Sequence, residues 1–115
     1  MAENEKTEDT PLVALRGFQR KHLRGLAHAL KPVVQIGRSG ISDDVIEALD
    51  QALLHHELIK VRMFQPEDKK AMAAELAERG RAHLCGLVGH MAILYRPHPK
   101  KPTIKVPSAE SKPTA

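Results

Sequence analysis

The spacing of apolar residues alternates between two periods along this chain of 115 residues, and that alternation constrains its fold more than any other feature. Three segments repeat apolar residues every three or four positions, which predicts helices. Four shorter segments are apolar runs or alternate with polar residues, which predicts strands. The predicted helices cover about 16–30, 43–54 and 66–80, and the predicted strands cover about 33–36, 57–64, 82–88 and 91–96.

Capping and turn residues mark the boundaries of these segments. Ser42 is predicted to cap the second helix, where Asp43 would suit the positive end of the helix dipole. Pro66 is predicted to lie in the first turn of the third helix, and Gly80 to close that helix. Only the dipeptide Gly89-His90 separates the last two strands, which predicts an antiparallel hairpin.

The predicted order of elements is α-β-α-β-α-β-β. Strands separated by helices favour parallel crossovers, and the hairpin is expected to add an antiparallel edge. We therefore expect an α/β fold, a compact open-faced domain with a four-stranded mixed sheet packed with helices. Five apolar residues of the first helix are predicted to share one face: Phe18, Leu23, Leu26, Ala27 and Leu30.

Composition divides the chain into a core and two ends. Residues 1–10 predict a disordered acidic tail, residues 11–97 the folded domain, and residues 98–115 a disordered tail rich in proline and lysine. The single cysteine, Cys85, excludes an intramolecular disulfide and indicates a reducing, cytoplasmic setting. No apolar run approaches the roughly 20 residues that span a bilayer, so no membrane partner is expected. The small core with its tails indicates a monomer.

Charge is sorted by segment. The net charge is +4, yet residues 11–42 contain no Asp or Glu, and residues 39–59 contain no Lys or Arg. Such sorting is expected when one face of a protein meets a polyanion. Arg20, Arg24 and His28 are spaced by four and form a stripe on the first helix. The basic residues of the acid-free segment are candidates for contact with phosphates: Arg16, Arg20, Lys21, Arg24, Lys31 and Arg38.

The motif Gly37-Arg38-Ser39-Gly40 is a further candidate for binding an anion. Two glycines allow a sharp turn and a close approach to a ligand. The motif leads into a helix N-terminus, where backbone N–H groups and the dipole attract negative charge, and Arg38 adds a charged donor. An ordinary strand-to-helix turn would contain the same residues. The acid-free basic helix before the motif favours the functional interpretation.

Other chemistry has little support in the sequence. The seven histidines lack the ligand spacing of a metal site, and no acid–base pair accompanies Ser39. Gly40 is not followed by the Lys-Ser or Lys-Thr of a nucleotide-binding loop. We therefore expect no metal, no cofactor and no catalytic residue. Because aromatic residues are scarce, any contact with nucleic acid is expected to use mainly phosphates and shape.

Several motifs, in this order, resemble a known family. Residues 19–37, with the sequence QRKHLRGLAHALKPVVQIG, resemble the opening of the CRM domain, named for chloroplast RNA splicing and ribosome maturation. Gly37–Gly40 resembles the GxxG loop of that family, residues 55–61 (HHELIKV) its second signature, and residues 94–97 its closing strand. The resemblance extends over about residues 15–97, and the short stand-alone form resembles bacterial YhbY-like proteins.

The resemblance implies a fold similar to the C-terminal domain of translation initiation factor three. It also implies RNA binding, association with ribosomal RNA in precursors of the large subunit, and a role in ribosome assembly. After Val88-Gly89 the family usually has Lys or Arg, and this chain has His90, so an expected contact there is weakened or depends on pH. By position, the RNA-facing residues implied are Arg20, Lys21, Arg24, Lys31 and Gly37–Gly40.

The function that the sequence favours is assistance to large-subunit assembly by binding structured ribosomal RNA. Two alternatives stay open. In the first, the protein is an interaction adaptor that uses the acidic second helix, residues 43–54, while the basic face is only solvated. In the second, it is an RNA-processing enzyme, which ranks last because no acid–base or metal set is visible.

Overall fold

The structure, a computed structural model, describes residues 15–104. Three helices and four strands lie in this part of the chain: α1 (Gly17–Ala27), β1 (Val34–Ile36), α2 (Asp43–His56), β2 (Leu58–Met63), α3 (Lys69–Arg79), β3 (His83–Val88) and β4 (Met91–Tyr95). The predicted α/β class and four-stranded mixed sheet are confirmed. Within residues 15–104, no helix is long and apolar enough to cross a membrane.

The strands lie in the order β1-β2-β4-β3 across the sheet. β1 runs parallel to β2, with Val34 beside Val61, as the crossover through α2 predicts. β4 runs antiparallel to both of its neighbours, β2 and β3. The hairpin therefore forms an antiparallel edge of the sheet, as expected, with β3 outermost and β4 next to β2. The crossover through α3 places β3 one position away from β2, and β4 returns into the gap between them.

α2 and α3 pack on one side of the sheet, called here the covered face. A single cluster of 13 buried hydrophobic residues fills this side, with Leu49 and Leu53 from α2, Leu76 from α3, and Val61 and Leu94 from the two central strands. Burial of apolar surface is the main favourable term in folding. The covered face therefore holds most of the hydrophobic core.

Of the three helices in residues 15–104, α1 alone packs on the other side of the sheet, called here the open face. The buried cluster on this side has six members: Leu23, Ala27, Leu58, Cys85, Ile93 and Tyr95. Because α1 has only 11 residues, it spans about 17 Å at 1.5 Å per residue and covers a limited part of the sheet. The open face is therefore partly accessible.

The apolar face predicted for α1 is only partly buried. Leu23 and Ala27 are fully buried, whereas Leu26 is 45% exposed and Leu30 is 39% exposed. The helix ends at Ala27, so Leu30 lies in the turn that follows it. Leu23 and Ala27 are four residues apart and form the line that faces the sheet. Leu26 lies beside that line, where no second helix covers it.

The start of α3 also differs from the prediction. The helix begins at Lys69, and Asp68 is its N-cap, with Oδ1 accepting a hydrogen bond from the backbone N–H of Ala71 at 3.1 Å. Pro66 lies in the bend before the helix, not in its first turn. Asp is among the strongest N-cap residues, and it fixes the start two residues after the proline. Gly80 caps the C-terminal end of α3, as predicted.

Glu57 connects the C-terminal segment to the sheet. It ends α2 with a positive φ of 64°, and its side chain is buried. The carboxylate accepts backbone hydrogen bonds from His98 at 2.7 Å, Thr103 at 3.0 Å and Ile104 at 2.8 Å. The Thr103 hydroxyl donates a further bond at 2.8 Å. Burial alone would raise the pKa of Glu57, but these bonds outweigh it and hold the pKa below its ordinary value.

This contact bears on the predicted division of the chain. The boundary predicted at residue 97 lies inside a segment that Glu57 ties to the fold, and Ile104 also packs against the cluster on the open face. The predicted acidic tail, residues 1–10, lies outside the described residues. Residues 105–115 of the predicted proline- and lysine-rich tail lie outside them as well.

Candidate nucleic-acid interface

A groove of about 590 Å³ lies where α1 leaves the open face of the sheet uncovered. Among residues 15–104, no carboxylate lines this groove. Its lining residues come from α1 and the turn after it, from β2 and from the β3–β4 hairpin: Lys21, Arg24, Gly25, His28, Lys60, Val88 and Ile93. We call it the basic groove. A concave surface with positive charge and no opposing acid focuses its potential on anions.

Two of the predicted contact residues also make structural hydrogen bonds, Arg20 to the segment before α1 and Arg24 to β3. Arg20 donates from Nη1 to the carbonyl oxygen of Leu15 at 2.6 Å, and Arg24 donates from Nη1 to the carbonyl oxygen of Cys85 at 2.8 Å. A Cβ added to Gly86 would lie 2.5 Å from Cδ of Arg24, so the glycine lets this side chain cross β3. A guanidinium has five N–H donors, and one bond leaves others for a ligand. Arg20 and Arg24 are therefore structural as well as candidate binding residues.

The remaining predicted cations lie at different distances from the groove. Lys21 is exposed and lines it. Arg16 is exposed at the N-terminal end of α1, and its backbone N–H donates to Gln19 Oε1 at 2.7 Å. Lys31 is exposed in the connection between α1 and β1. Arg16 and Lys31 do not line the groove, so the structure groups only part of the predicted basic set.

Two further cations on the open face were missed by the sequence reasoning. Lys60 and Arg62 alternate along β2 with buried residues, and their side chains share the side of Leu58, which packs against α1. Lys60 also donates from Nζ to the carbonyl oxygen of His28 at 3.3 Å. The signal was present in the sequence as a basic residue at every second position of a predicted strand.

The Gly37–Gly40 loop lies at the carboxyl end of β1. The backbone N–H of Gly40 donates to the carbonyl oxygen of Gly37 at 3.1 Å, which closes a tight turn. Gly40 has a φ of 76°, a conformation that side chains with a Cβ rarely adopt. Apart from the adjoining residues, no atom of residues 15–104 lies within 4 Å of a Cβ added at either glycine, so the backbone here is open to a ligand. Arg38 and Ser39 are exposed at the tip.

The N-terminus of α2, which follows this loop, is less suited to an anion than its position implies. Ser42 caps the helix as predicted, with Oγ accepting a hydrogen bond from the backbone N–H of Val45 at 3.3 Å. Asp43 and Asp44 place two carboxylates in the first turn. The Ser42 side chain occupies one of the free N–H groups of the helix, and the two carboxylates offset the positive end of the helix dipole. The loop amides and Arg38 are therefore the better candidates for holding a phosphate.

The hairpin turn that contains His90 lies next to the end of β2. The carbonyl oxygen of His90 accepts from the backbone N–H of Met63 at 2.8 Å. Lys69 of α3 donates from Nζ to the carbonyl oxygen of Gly89 at 3.1 Å. A lysine from another element thus lies beside the turn where the family resemblance leads us to expect Lys or Arg.

The titratable groups under α1 have the properties of packed core residues. Burial raises the pKa of the Cys85 thiol to about 11, which keeps it protonated at neutral pH. Burial likewise raises the pKa of Tyr95 to about 12. It lowers the pKa of His83, whose ring stacks on that of Tyr95 with 6.2 Å between the ring centroids. Among residues 15–104, no three His, Cys, Asp or Glu side chains come together to hold a metal ion.

The acidic residues of α2 line a different groove, of about 430 Å³, together with three arginines. One of these, Arg96, is buried and donates to the carbonyl oxygen of Gly80 at 2.8 Å and to Oδ1 of Asp50 at 2.9 Å. Arg79 and Arg81 line the same groove. The carboxylates of α2 therefore lie among arginines, and this surface has less net negative charge than the sequence of the helix alone predicts.

Comparison with known proteins places the chain in a family. A family model described as the CRS1 / YhbY (CRM) domain matches residues 15–96. "Probable RNA-binding protein PA4753" from Pseudomonas aeruginosa is 38% identical over 90 residues, which are 76% of this chain and 86% of the relative. "Probable RNA-binding protein YqeI" from Bacillus subtilis is 36% identical over 95 residues, 81% of this chain and 99% of the relative.

A solved structure agrees with this assignment. The solution structure of SAV1595 from Staphylococcus aureus has a TM-score of 0.73 to this chain at 38% identity, and the match covers 82% of this chain and 100% of that one. The chain therefore belongs to the CRM domain family, as the sequence motifs predicted.

Proposed function

We propose that this protein binds RNA through the basic groove and the Gly37–Gly40 loop. The observation that carries the proposal is the groove itself, on the side of the sheet that α1 only partly covers. Lys21, Arg24 and Lys60 come together there, and no carboxylate from the described part of the chain lines the groove. Cations placed along a concave surface neutralise phosphates and release counterions, which drives association with nucleic acid.

The names of the relatives support this choice of ligand. The relatives from P. aeruginosa and B. subtilis have names that refer to RNA binding, and a third, from Haemophilus influenzae, is named "RNA-binding protein" and is 38% identical over 88 residues. That match covers 75% of this chain and 89% of the relative. RNA is therefore a better candidate than another polyanion.

The proposed target is structured ribosomal RNA in precursors of the large subunit, and the proposed role is to assist their assembly. Support for this target comes from the family resemblance in the sequence. The role requires no cofactor and no catalytic step, and we propose that the protein acts as a monomer in the cytoplasm. A turnover assay on ribosomal RNA precursor, with and without divalent metal, tests the non-enzymatic part: the RNA is expected to stay intact.

Sedimentation of a cell lysate through a sucrose gradient tests the ribosomal target. The wild-type protein is expected to comigrate with large-subunit precursors at low salt and to leave them at high salt. A variant that loses two exposed cations of the open face, Lys21→Ala with Arg62→Ala, is expected to stay at the top of the gradient. The matched control, Lys70→Ala with Arg79→Ala, removes one lysine and one arginine from α3 and is expected to behave as wild type.

The two sets of residues were chosen to leave the fold intact. All four residues are exposed, and the bonds of Arg79 to Glu75 and to the carbonyl oxygen of Ile41 are exposed as well. Arg20 and Arg24 are left unchanged because their bonds are partly buried. If wild-type protein stays at the top of the gradient in every condition, the ribosomal target is wrong. If wild type and both double variants all comigrate with large-subunit precursors, the open face is not the binding surface.

A further inference from the structure

Phe64 is an exposed aromatic ring beside the Gly37–Gly40 loop. The residue is 47% exposed and directly follows β2. Its backbone N–H donates to the carbonyl oxygen of Ile36 at 3.0 Å, which ties it to the last residue of β1, immediately before Gly37. The ring is therefore held next to the loop by the sheet itself, not by a flexible connection.

The ring lies at the end of β2, a strand whose exposed side is cationic. Side chains two positions apart along a strand share a face, so Lys60 and Arg62 lie together on the open face, and Phe64 is the first residue after that strand. The guanidinium carbon of Arg38 lies 5.7 Å from the centroid of the Phe64 ring, which is a cation–π contact. One arginine of the loop thus orients the ring, and much of the ring stays exposed to solvent.

We propose that Phe64 stacks on an unpaired base of the bound RNA while Arg38 and the loop amides hold a phosphate next to that base. This inference rests on the proposed function and adds a base contact to it. Because every nucleobase has a π face, an exposed ring beside a phosphate-binding loop recognises an unstacked nucleotide without choosing its sequence. A base inside a continuous duplex has no face available for the ring.

Charge favours a nucleotide over an apolar protein partner as the occupant. The exposed ring has Arg38 against it, and Arg62 lies two positions earlier in the chain. An apolar partner would bury these cations without a counter-charge, at a cost. A nucleotide fits both features, because its base can stack on the ring and its phosphate can pair with the two arginines.

The test compares two RNA duplexes of equal length, one fully paired and one with a single bulged 2-aminopurine, a fluorescent adenine analogue. We expect wild-type protein to bind the bulged duplex more tightly and to quench the 2-aminopurine, as stacking on a ring requires. Phe64→Ala is expected to weaken binding to the bulged duplex by about tenfold and to abolish the quenching. It is expected to leave binding to the paired duplex unchanged.

Two further variants separate the base contact from other effects. Phe64→Tyr keeps an aromatic ring and is expected to restore both the affinity and the quenching, whereas Arg62→Ala is expected to weaken binding to both duplexes. Wild-type protein that binds both duplexes equally, with Phe64→Ala changing neither, would overturn the stacking inference and leave the proposed function standing. Wild-type protein that binds neither duplex would overturn both. Thermal melting checks that Phe64→Ala is folded.

Discussion

The two sides of the sheet in this small domain differ in what covers them. The covered face lies under two helices, α2 and α3, and contains a continuous cluster of 13 buried hydrophobic residues. The open face lies under one short helix, has six such residues, and places Lys60 and Arg62 of the same sheet beside them. The covered face holds most of the buried apolar surface that stabilises the fold, and the open face is the surface that we propose contacts RNA.

The largest effect that tests this separation is a cavity on the covered face. Leu53 is fully buried between α2 and the sheet, so Leu53→Ala removes its contacts and is expected to lower the free energy of unfolding by about 3 kcal/mol. Urea denaturation measures this change. RNA affinity, corrected for the folded fraction, is expected to equal that of wild type. A comparable loss of affinity in the folded molecules would show that the two faces are coupled.

A smaller loss of stability is expected at Glu57, where the chain end is tied to the fold. The Glu57 carboxylate accepts hydrogen bonds from four donor groups, and Glu57→Gln replaces one of its oxygens with an NH2 group that faces those donors. We expect unfolding to become easier by about 2 kcal/mol. Glu47→Gln makes the same chemical change at an exposed position of α2 and is expected to change stability by less than about 0.5 kcal/mol.

The pH dependence of stability gives a second measurement on the same residue. The folded pKa of Glu57 lies below its ordinary value of 4.5, so the unfolded state takes up the proton first as the pH falls. The contribution of Glu57 is complete above that value and is lost as the pH falls through the folded pKa. Wild type is therefore expected to lose more stability on acidification than Glu57→Gln. If the free energy of unfolding falls equally in both proteins as the pH is lowered, Glu57 does not stabilise the fold through its ionised carboxylate.

A still smaller effect is expected at Arg38, and it concerns binding alone. Arg38→Ala removes an exposed charged donor from the Gly37–Gly40 loop and is expected to weaken RNA binding by about tenfold, or about 1.4 kcal/mol. Arg79→Ala, an exposed arginine on α3, is the matched control and is expected to keep wild-type affinity. Fluorescence anisotropy with a labelled RNA measures both. Equal losses in the two variants would mean that net charge, not the loop, decides affinity.

The parts of the fold that depend on local signals were predictable from the sequence. Periodicity located the seven elements, and Ser42 and Gly80 cap their helices as predicted, because a cap is decided by residues a few positions away. Pro66 misled the prediction for α3 because the Asp68 N-cap, two residues later, determined where the helix begins. The position of β4 inside the sheet is decided by how the α3 crossover packs, which no local pattern records.

The candidate site was predictable to a lesser extent. The acid-free segment points to α1, yet only the structure shows that Arg20 and Arg24 also donate hydrogen bonds to backbone carbonyls. The sequence does not single out Phe64, because what distinguishes this residue is the contact of its ring with Arg38, which is far from it in sequence. The bonds of Glu57 were unpredictable for the same reason, since its partners lie 41 to 47 residues away.

The most direct test of the central claim, that the open face binds RNA through phosphates, is the salt dependence of affinity. If about five cations each neutralise a phosphate, the logarithm of the association constant is expected to fall with the logarithm of salt concentration with a slope of about −4. Loss of Lys21 and Arg62 is expected to reduce the magnitude of the slope by about 1.5, and loss of Lys70 and Arg79 is expected to leave it unchanged. A slope near zero for wild type, or the same slope in both double variants, would contradict the account.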